Sequence, residues 1–240
     1  MPSHTGGPPR SLPPGLFVTG TDTGVGKTVV AAALCASLRA AGQRVAAVKP
    51  VLTGLDDAGD AAWPLDHELL AAAAGGVAEE VAPLRFGPAV SPHLAAELAG
   101  EPIDPGALLD AVEAAAAGAD VAVVEGVGGL LVPIAPDYAV RDLARDLGLP
   151  LVVAARPGLG TINHTLLTLE AARAAGLHAA AVVLTPWPAE PSDIERSNRA
   201  TIERLGGVPV ETLPHVAAPE PEQLAAAAAR LPVGEWVAPG

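Results

Sequence analysis

Lysine occupies only two positions in this 240-residue chain, Lys27 and Lys49, among 14 basic residues. Arginine serves everywhere else, so these two sites call for a compact point charge on a thin stem, which a planar guanidinium fork does not supply in a tight anion cradle. Lys27 lies in Gly20-Thr-Asp-Thr-Gly-Val-Gly-Lys-Thr28, directly after the apolar run that starts at Leu16. A strand, a glycine-rich loop and a helix start in that order turn backbone N–H groups inward to cradle phosphate oxygens. The lysine then reaches the outer phosphates and the threonine hydroxyl binds Mg2+. Gly20 to Gly26 spans one residue more than the standard loop, which makes this a variant of the same device.

Lys49 ends the next apolar run, in Val48-Lys-Pro-Val-Leu-Thr-Gly54. Ligands of open α/β sheets bind outside the carboxyl ends of the strands, so Lys49 and Thr53 are expected to face the phosphates and stabilise charge that develops during phosphoryl transfer. Glu125 closes the run Val121-Ala-Val-Val124 and leads into Gly126-Val-Gly-Gly129, the place for a carboxylate that holds Mg2+. Asp66, after an irregular acidic stretch with Asp56, Asp57 and Asp60, is either a second metal ligand or the cap of the helix it opens. Two further segments carry the same ambiguity. Gly160-Thr-Ile-Asn163 starts a helix whose N–H groups suit an anion, yet Thr161 serves equally as its cap. Ser91-Pro92-His93 reads first as an N-cap followed by proline at the first helical position. There is no Ser/His/Asp or Cys/His array of the kind that activates a protein nucleophile.

These residues need a scaffold. Apolar runs at 16–19, 45–51, 121–125, 151–155, 179–184 and 208–212 read as strands, and alanine-rich stretches near 27–41, 66–74, 91–99, 104–117, 139–147, 161–175, 192–205 and 221–230 as helices. Runs that do not alternate are buried on both faces, so the fold class is doubly wound α/β, a mostly parallel sheet with helices on both sides. Residues 1–15, rich in proline and glycine, are expected to be a disordered leader, and 16–240 a single domain. Proline clusters at 83–92, 133–136 and 186–191 read as loops.

Half the residues are apolar and 17% charged, a globular composition. The net charge of −13 disfavours nucleic acid and anionic membranes. No apolar run is long enough to span a bilayer and no signal-peptide core is present. One cysteine, Cys35, cannot form an internal disulfide, which fits a reducing cytoplasm.

Taken together, Gly20–Thr28, Lys49–Gly54, Ser91–His93, Val124–Gly129 and Leu159-Gly-Thr-Ile-Asn-His164 resemble the dethiobiotin synthetases, over roughly residues 16 to 215. The resemblance implies a P-loop enzyme that uses ATP and CO2 to close a ureido ring on 7,8-diaminopelargonic acid, as a homodimer with sites at the subunit interface. It implies that Lys27 and Lys49 hold and activate phosphates and carbamate, and that Thr28, Asp66 and Glu125 bind Mg2+. The nucleotide site would take in Thr23, Gly24, Val25, Gly26 and Val29, then Gly126, Val127 and Gly128. Its base side would be formed by Thr185, Pro186, Leu213, Pro214 and His215. Thr53, Gly128, Gly160, Thr161 and Asn163 would contact the diamine substrate. Two positions depart from the pattern: Gly24, where members often carry a larger polar or acidic residue, and Thr185-Pro186, where many carry an asparagine that reads the base.

Overall fold

A computed structural model describes residues 11–57 and 63–237. In chain order, β1 (Gly15–Gly20), α1 (Lys27–Ala40), β2 (Val45–Val48), β3 (Val51–Leu52), α2 (Asp66–Ala74), α3 (Ala78–Val81), β4 (Leu84–Arg85), α4 (Pro92–Ala99) and α5 (Pro105–Ala116) form the first half. There follow β5 (Val121–Gly129), β6 (Pro133–Ala135), β7 (Tyr138–Ala139), α6 (Val140–Leu147), β8 (Leu151–Ala155), α7 (Thr161–Ala174), β9 (Ala179–Trp187), α8 (Asp193–Gly206), β10 (Val210–Pro214), α9 (Pro221–Ala228) and α10 (Val233–Trp236).

Six strands pair in the order β10-β9-β8-β1-β5-β2, and every pairing is parallel. After β1 the chain builds β2 at one edge, returns with β5 between them, then crosses to the far side of β1 for β8 to β10. That reversal leaves a crevice at the carboxyl ends of the strands, and the loops after β1, β2 and β5 open into it. Successive side chains alternate between the two faces. Leu16 and Val18 pack under α1 and α2, while Phe17 packs on the opposite face with Val140, Leu143 and Leu151. All three β1 residues are fully buried. Each such side chain contributes about 1.5–3 kcal/mol relative to exposure, which makes the central strand a rigid base for the loop it carries.

Several boundaries differ from the sequence expectation. The strand expected over 45–51 stops at Val48, because Pro50 has no N–H to give a ladder. The Lys49 N–H donates instead to the Val81 carbonyl (2.7 Å), and β3 pairs with β4 in a separate ribbon. The expected leader is ordered at its end: Gly15 belongs to β1, the Pro14 carbonyl accepts the Ala122 N–H (2.9 Å), and Leu12 packs on the Phe17 side of the core. Residues 1–10 and Asp60 lie outside the described residues. Proline stretches read as loops are partly strand, since β6 starts at Pro133 and β9 runs through Pro186 to Trp187. The last strand is Val210–Pro214, two residues beyond its expected place.

Candidate active site

Lys27 is the first residue of α1, behind a loop in which Gly24 (φ 68°) and Gly26 (φ 93°) adopt the left-handed backbone that glycine alone takes without cost. Gly26 is also a close-approach site, since a Cβ there would lie 2.8 Å from the Thr185 methyl. The loop is tied to the sheet by the Thr21 N–H, which donates to the Ala154 carbonyl (3.0 Å) at the end of β8. Lys27 donates to the Asp22 carbonyl across the loop (2.9 Å).

Lys49, Thr28 and two carboxylates meet at one point, and Lys27 lines the same cleft. Lys49 Nζ donates to Asp66 Oδ2 (2.5 Å) and to Glu125 Oε1 (2.7 Å), and Thr28 Oγ1 donates to the same Glu125 oxygen (2.9 Å). Asp66 begins α2 but does not cap it; Glu68 accepts the Leu65 N–H (2.9 Å), which leaves Asp66 to the site. Lys27, Lys49 and Glu125 are 7%, 4% and 1% exposed, so their charges interact with little screening.

The environments drive the two ammonium groups apart. Burial lowers the Lys27 pKa, and the raising pull of Glu125 does not restore it. Burial acts on Lys49 in the same sense, but the Glu125 and Asp66 carboxylates bonded to it outweigh that and hold its pKa above the ordinary value. Burial likewise pushes Glu125 up despite Lys49, whereas Lys49 and Thr28 hold Asp66 below the usual carboxylate range against its own burial. Glu125 Oε2 is buried with no partner among the described residues. A carboxylate oxygen left that way costs about 1–3 kcal/mol unless something meets it, and with Thr28 and Asp66 beside it the donor set suits a hard, oxygen-seeking cation.

A cleft of about 640 Å3 runs over this cluster. Of the residues singled out in the sequence, Thr23, Gly24, Gly26, Lys27, Thr28, Val29, Lys49, Thr53, Asp66, Glu125, Val127 and Gly128 line it, joined by Ser91 and Pro92. Val25 and Gly126 are buried behind its wall. Ser91 is at the N-cap of α4 and Pro92 at its first position, as expected, but the Ser91 hydroxyl pairs with His93 Nδ1 (2.9 Å) and makes no cap bond. Trp63, Pro64, Leu69, Ala89, Val90 and Val132 complete the lining and carry no polar signature that sequence reading could have caught.

Residues 14–221 match the family model described as an AAA domain. The ATP-dependent dethiobiotin synthetase of an Anaeromyxobacter species is 44% identical over 205 residues, which cover 84% of this chain and 90% of that protein. That of Haloferax mediterranei is 41% identical over 209 residues, 87% of each. The chain belongs to the dethiobiotin synthetase family. Among solved structures, the septum site-determining protein MinD complexed with Mg-ADP from Pyrococcus horikoshii has a TM-score of 0.51 at 17% identity, over 92% of this chain and 88% of that one. A ParA family ATPase from Chlorobium tepidum has 0.53 at 15% identity, over 90% and 99%. These two share the P-loop NTPase fold.

Other residues expected of a dethiobiotin synthetase site lie away from the cleft. Thr185 is buried beneath Gly26, and Leu213 is fully buried in the core, so neither side chain is turned to solvent. Pro186, Pro214 and His215 are exposed at the neighbouring ends of β9 and β10. Gly160, not Thr161, caps α7, and the buried Thr161 hydroxyl faces that of Thr165 (3.4 Å); neither they nor the exposed Asn163 line this chain's cleft. A second hollow of about 470 Å3 adjoins the phosphate loop, between Asp22, Leu131, Val132, His164 and Leu167, and shares Thr23 and Val132 with the first.

Proposed function

We propose that this cleft performs the ATP- and CO2-dependent closure of the ureido ring of dethiobiotin from 7,8-diaminopelargonic acid. The observation that carries the residue assignment is the convergence of Lys49, Asp66, Glu125 and Thr28 within hydrogen-bonding distance beside the phosphate loop. One substrate amine adds to CO2 and loses a proton, giving a carbamate. A carbamate oxygen then takes the γ-phosphoryl group, with ADP leaving. The second amine attacks the carbonyl carbon of that mixed anhydride, phosphate departs, and a cyclic urea remains. Every nucleophile belongs to a substrate, so the protein's task is alignment and anion stabilisation.

Lys27 and the N–H groups of residues 24–28 bind the triphosphate, while Lys49 neutralises charge where carbamate and γ-phosphoryl group meet. Thr53, which also lines the cleft, orients the diamine. Thr28, Asp66 and Glu125 would hold Mg2+, which when bound supplies positive charge to the phosphoryl oxygens. The buried, unpartnered Glu125 oxygen supports that assignment. Gly160, Thr161 and Asn163, at the start of α7, contribute to the substrate's carboxylate end in the cleft of a second subunit, since none of them lines the cleft of its own chain. The exposed Leu131 (59%) and Leu167 (57%), which share the second hollow, support a homodimer. Among the described residues no helix is long and apolar enough to cross a membrane; a single domain that takes in the ordered residues just before Leu16 and works in the cytoplasm completes the proposal. Incubation of the purified protein with diaminopelargonic acid, bicarbonate, Mg2+ and ATP should yield dethiobiotin, ADP and phosphate. ATP hydrolysis without ring closure would overturn the substrate assignment.

A further inference from the structure

Arg156 follows the last residue of β8, outside the cleft, and reaches back across the sheet edge: its guanidinium Nη2 donates to the Gly24 carbonyl (3.1 Å). It belongs to none of the motifs above. Gly24 has φ 68°, a left-handed backbone that favours glycine, and a Cβ there would stand in contact with the same Nη2 at 3.4 Å, so the guanidinium lies directly against the loop. The peptide between Gly24 and Val25 is trans, since among the described residues only Thr185–Pro186 is cis. In a trans peptide C=O and N–H point in opposite directions. A Gly24 carbonyl held outward by Arg156 therefore turns the Val25 N–H to the other side of the loop, where Gly24, Gly26 and Lys27 line the cleft. Glycine, lacking a Cβ, leaves that peptide freer to rotate about the Gly24 Cα–C bond than any other residue would.

The anchor is itself anchored. Asn198, a buried residue of α8, donates through Nδ2 to the carbonyls of Pro157 (2.9 Å) and Gly158 (3.1 Å), fixing the backbone just after Arg156. The connection runs from α8 through the turn at 157–158 to Arg156 and on to the phosphate loop.

We propose that Arg156 is a positioning residue of the phosphate loop, a latch that holds the Gly24–Val25 peptide with its N–H toward the nucleotide's phosphates. The inference rests on the nucleotide-binding role assigned to the loop above, so Lys27→Ala serves as a separate control. Titration calorimetry of the full-length protein with Mg·ADP should give an affinity about tenfold weaker in Arg156→Ala, the scale of one hydrogen bond to a charged group. The melting temperature without nucleotide should stay unchanged. Arg156→Lys, which keeps a cationic donor, should fall between the two, and KM for ATP should rise more than kcat falls. An Arg156→Ala affinity within about threefold of wild type, alongside clear loss in Lys27→Ala, would overturn the latch. A matching fall in ligand-free melting temperature, or an Arg156→Lys variant no better than alanine, would do so as well. Undiminished binding in Lys27→Ala would instead overturn the assignment of the loop itself.

Discussion

Lys49 shows what a single side chain contributes when its shape and not its charge is decisive. Its ammonium fits between Asp66 and Glu125 in a position only 4% exposed, and a guanidinium fork there would displace one carboxylate or the other. Lys49→Arg is therefore expected to lower turnover by at least about two orders of magnitude, the scale for one positioned charge stabiliser. Turnover within about threefold of wild type would refute that role. Glu125→Gln is nearly isosteric but removes the charge a hard cation requires, so circular dichroism should be unchanged while phosphate release collapses. It also removes the carboxylate that raises the Lys27 pKa against burial. The ammonium must be protonated to hold phosphate, so a lower pKa moves the alkaline loss of nucleotide binding to lower pH. An unshifted alkaline limb in Mg·ADP titrations, with activity near wild type, would make Glu125 a structural residue of β5 only. Both lysines and Glu125 were legible in the sequence because each adjoins glycine, proline or a strand end, and Thr28 because it follows Gly26-Lys27 at a helix start. Arg156 was not: one arginine among twelve, it gains its meaning from a carbonyl 132 residues away.

At the scale of elements, uniformly apolar runs identified the sheet strands because burial on both faces leaves no polar alternation. The pattern fails where backbone hydrogen bonding decides, as at Pro50, which splits one expected strand into β2 and β3. It also fails to say which of two jobs a polar residue takes, since capping is settled by a neighbour such as Glu68. The ends of β9 and β10 carry a prediction of their own. Thr185 is buried beneath Gly26, Leu213 faces the core, and Pro186 and Pro214 offer no N–H, so of the expected base-side side chains only the exposed His215 offers a free donor or acceptor, and its two ring nitrogens point apart where a side-chain amide would pair them. Phosphate contacts are the same for every nucleoside triphosphate. Dethiobiotin formation with ATP, CTP, GTP and UTP at equal subsaturating concentrations should therefore give kcat/KM values within about tenfold of one another, or about 1.4 kcal/mol. A preference for ATP beyond about a hundredfold would require a reader of adenine, with the exposed His215 the first residue to replace.

Over the whole molecule, the helix start at Gly160–Asn163 does not line the cleft of its own chain, and the proposed function assigns it to the cleft of a second copy. Leu131 and Leu167 are largely exposed around the second hollow, next to the phosphate loop, and their burial would favour association there. Each chain carries a net charge of −13, and two such chains repel. Apolar attraction is not weakened by salt, whereas the repulsion is screened over about 10 Å at 0.1 M ionic strength and about 3 Å at 1 M. The proposed dimer should therefore tighten as salt rises, the reverse of an interface built on opposite charges. Sedimentation velocity at low and high sodium chloride would measure the dissociation constant directly. Leu167→Asp introduces a charge on the exposed side of α7 without touching the core, so the fold should persist while the protein runs as a monomer. Ring closure per chain should fall with it, and more steeply on dilution than in wild type, while Mg·ADP binding, a property of one chain's phosphate loop, should be kept. A Leu167→Asp variant that is monomeric yet fully active would show that each chain completes its own site and that Gly160, Thr161 and Asn163 take no part in it.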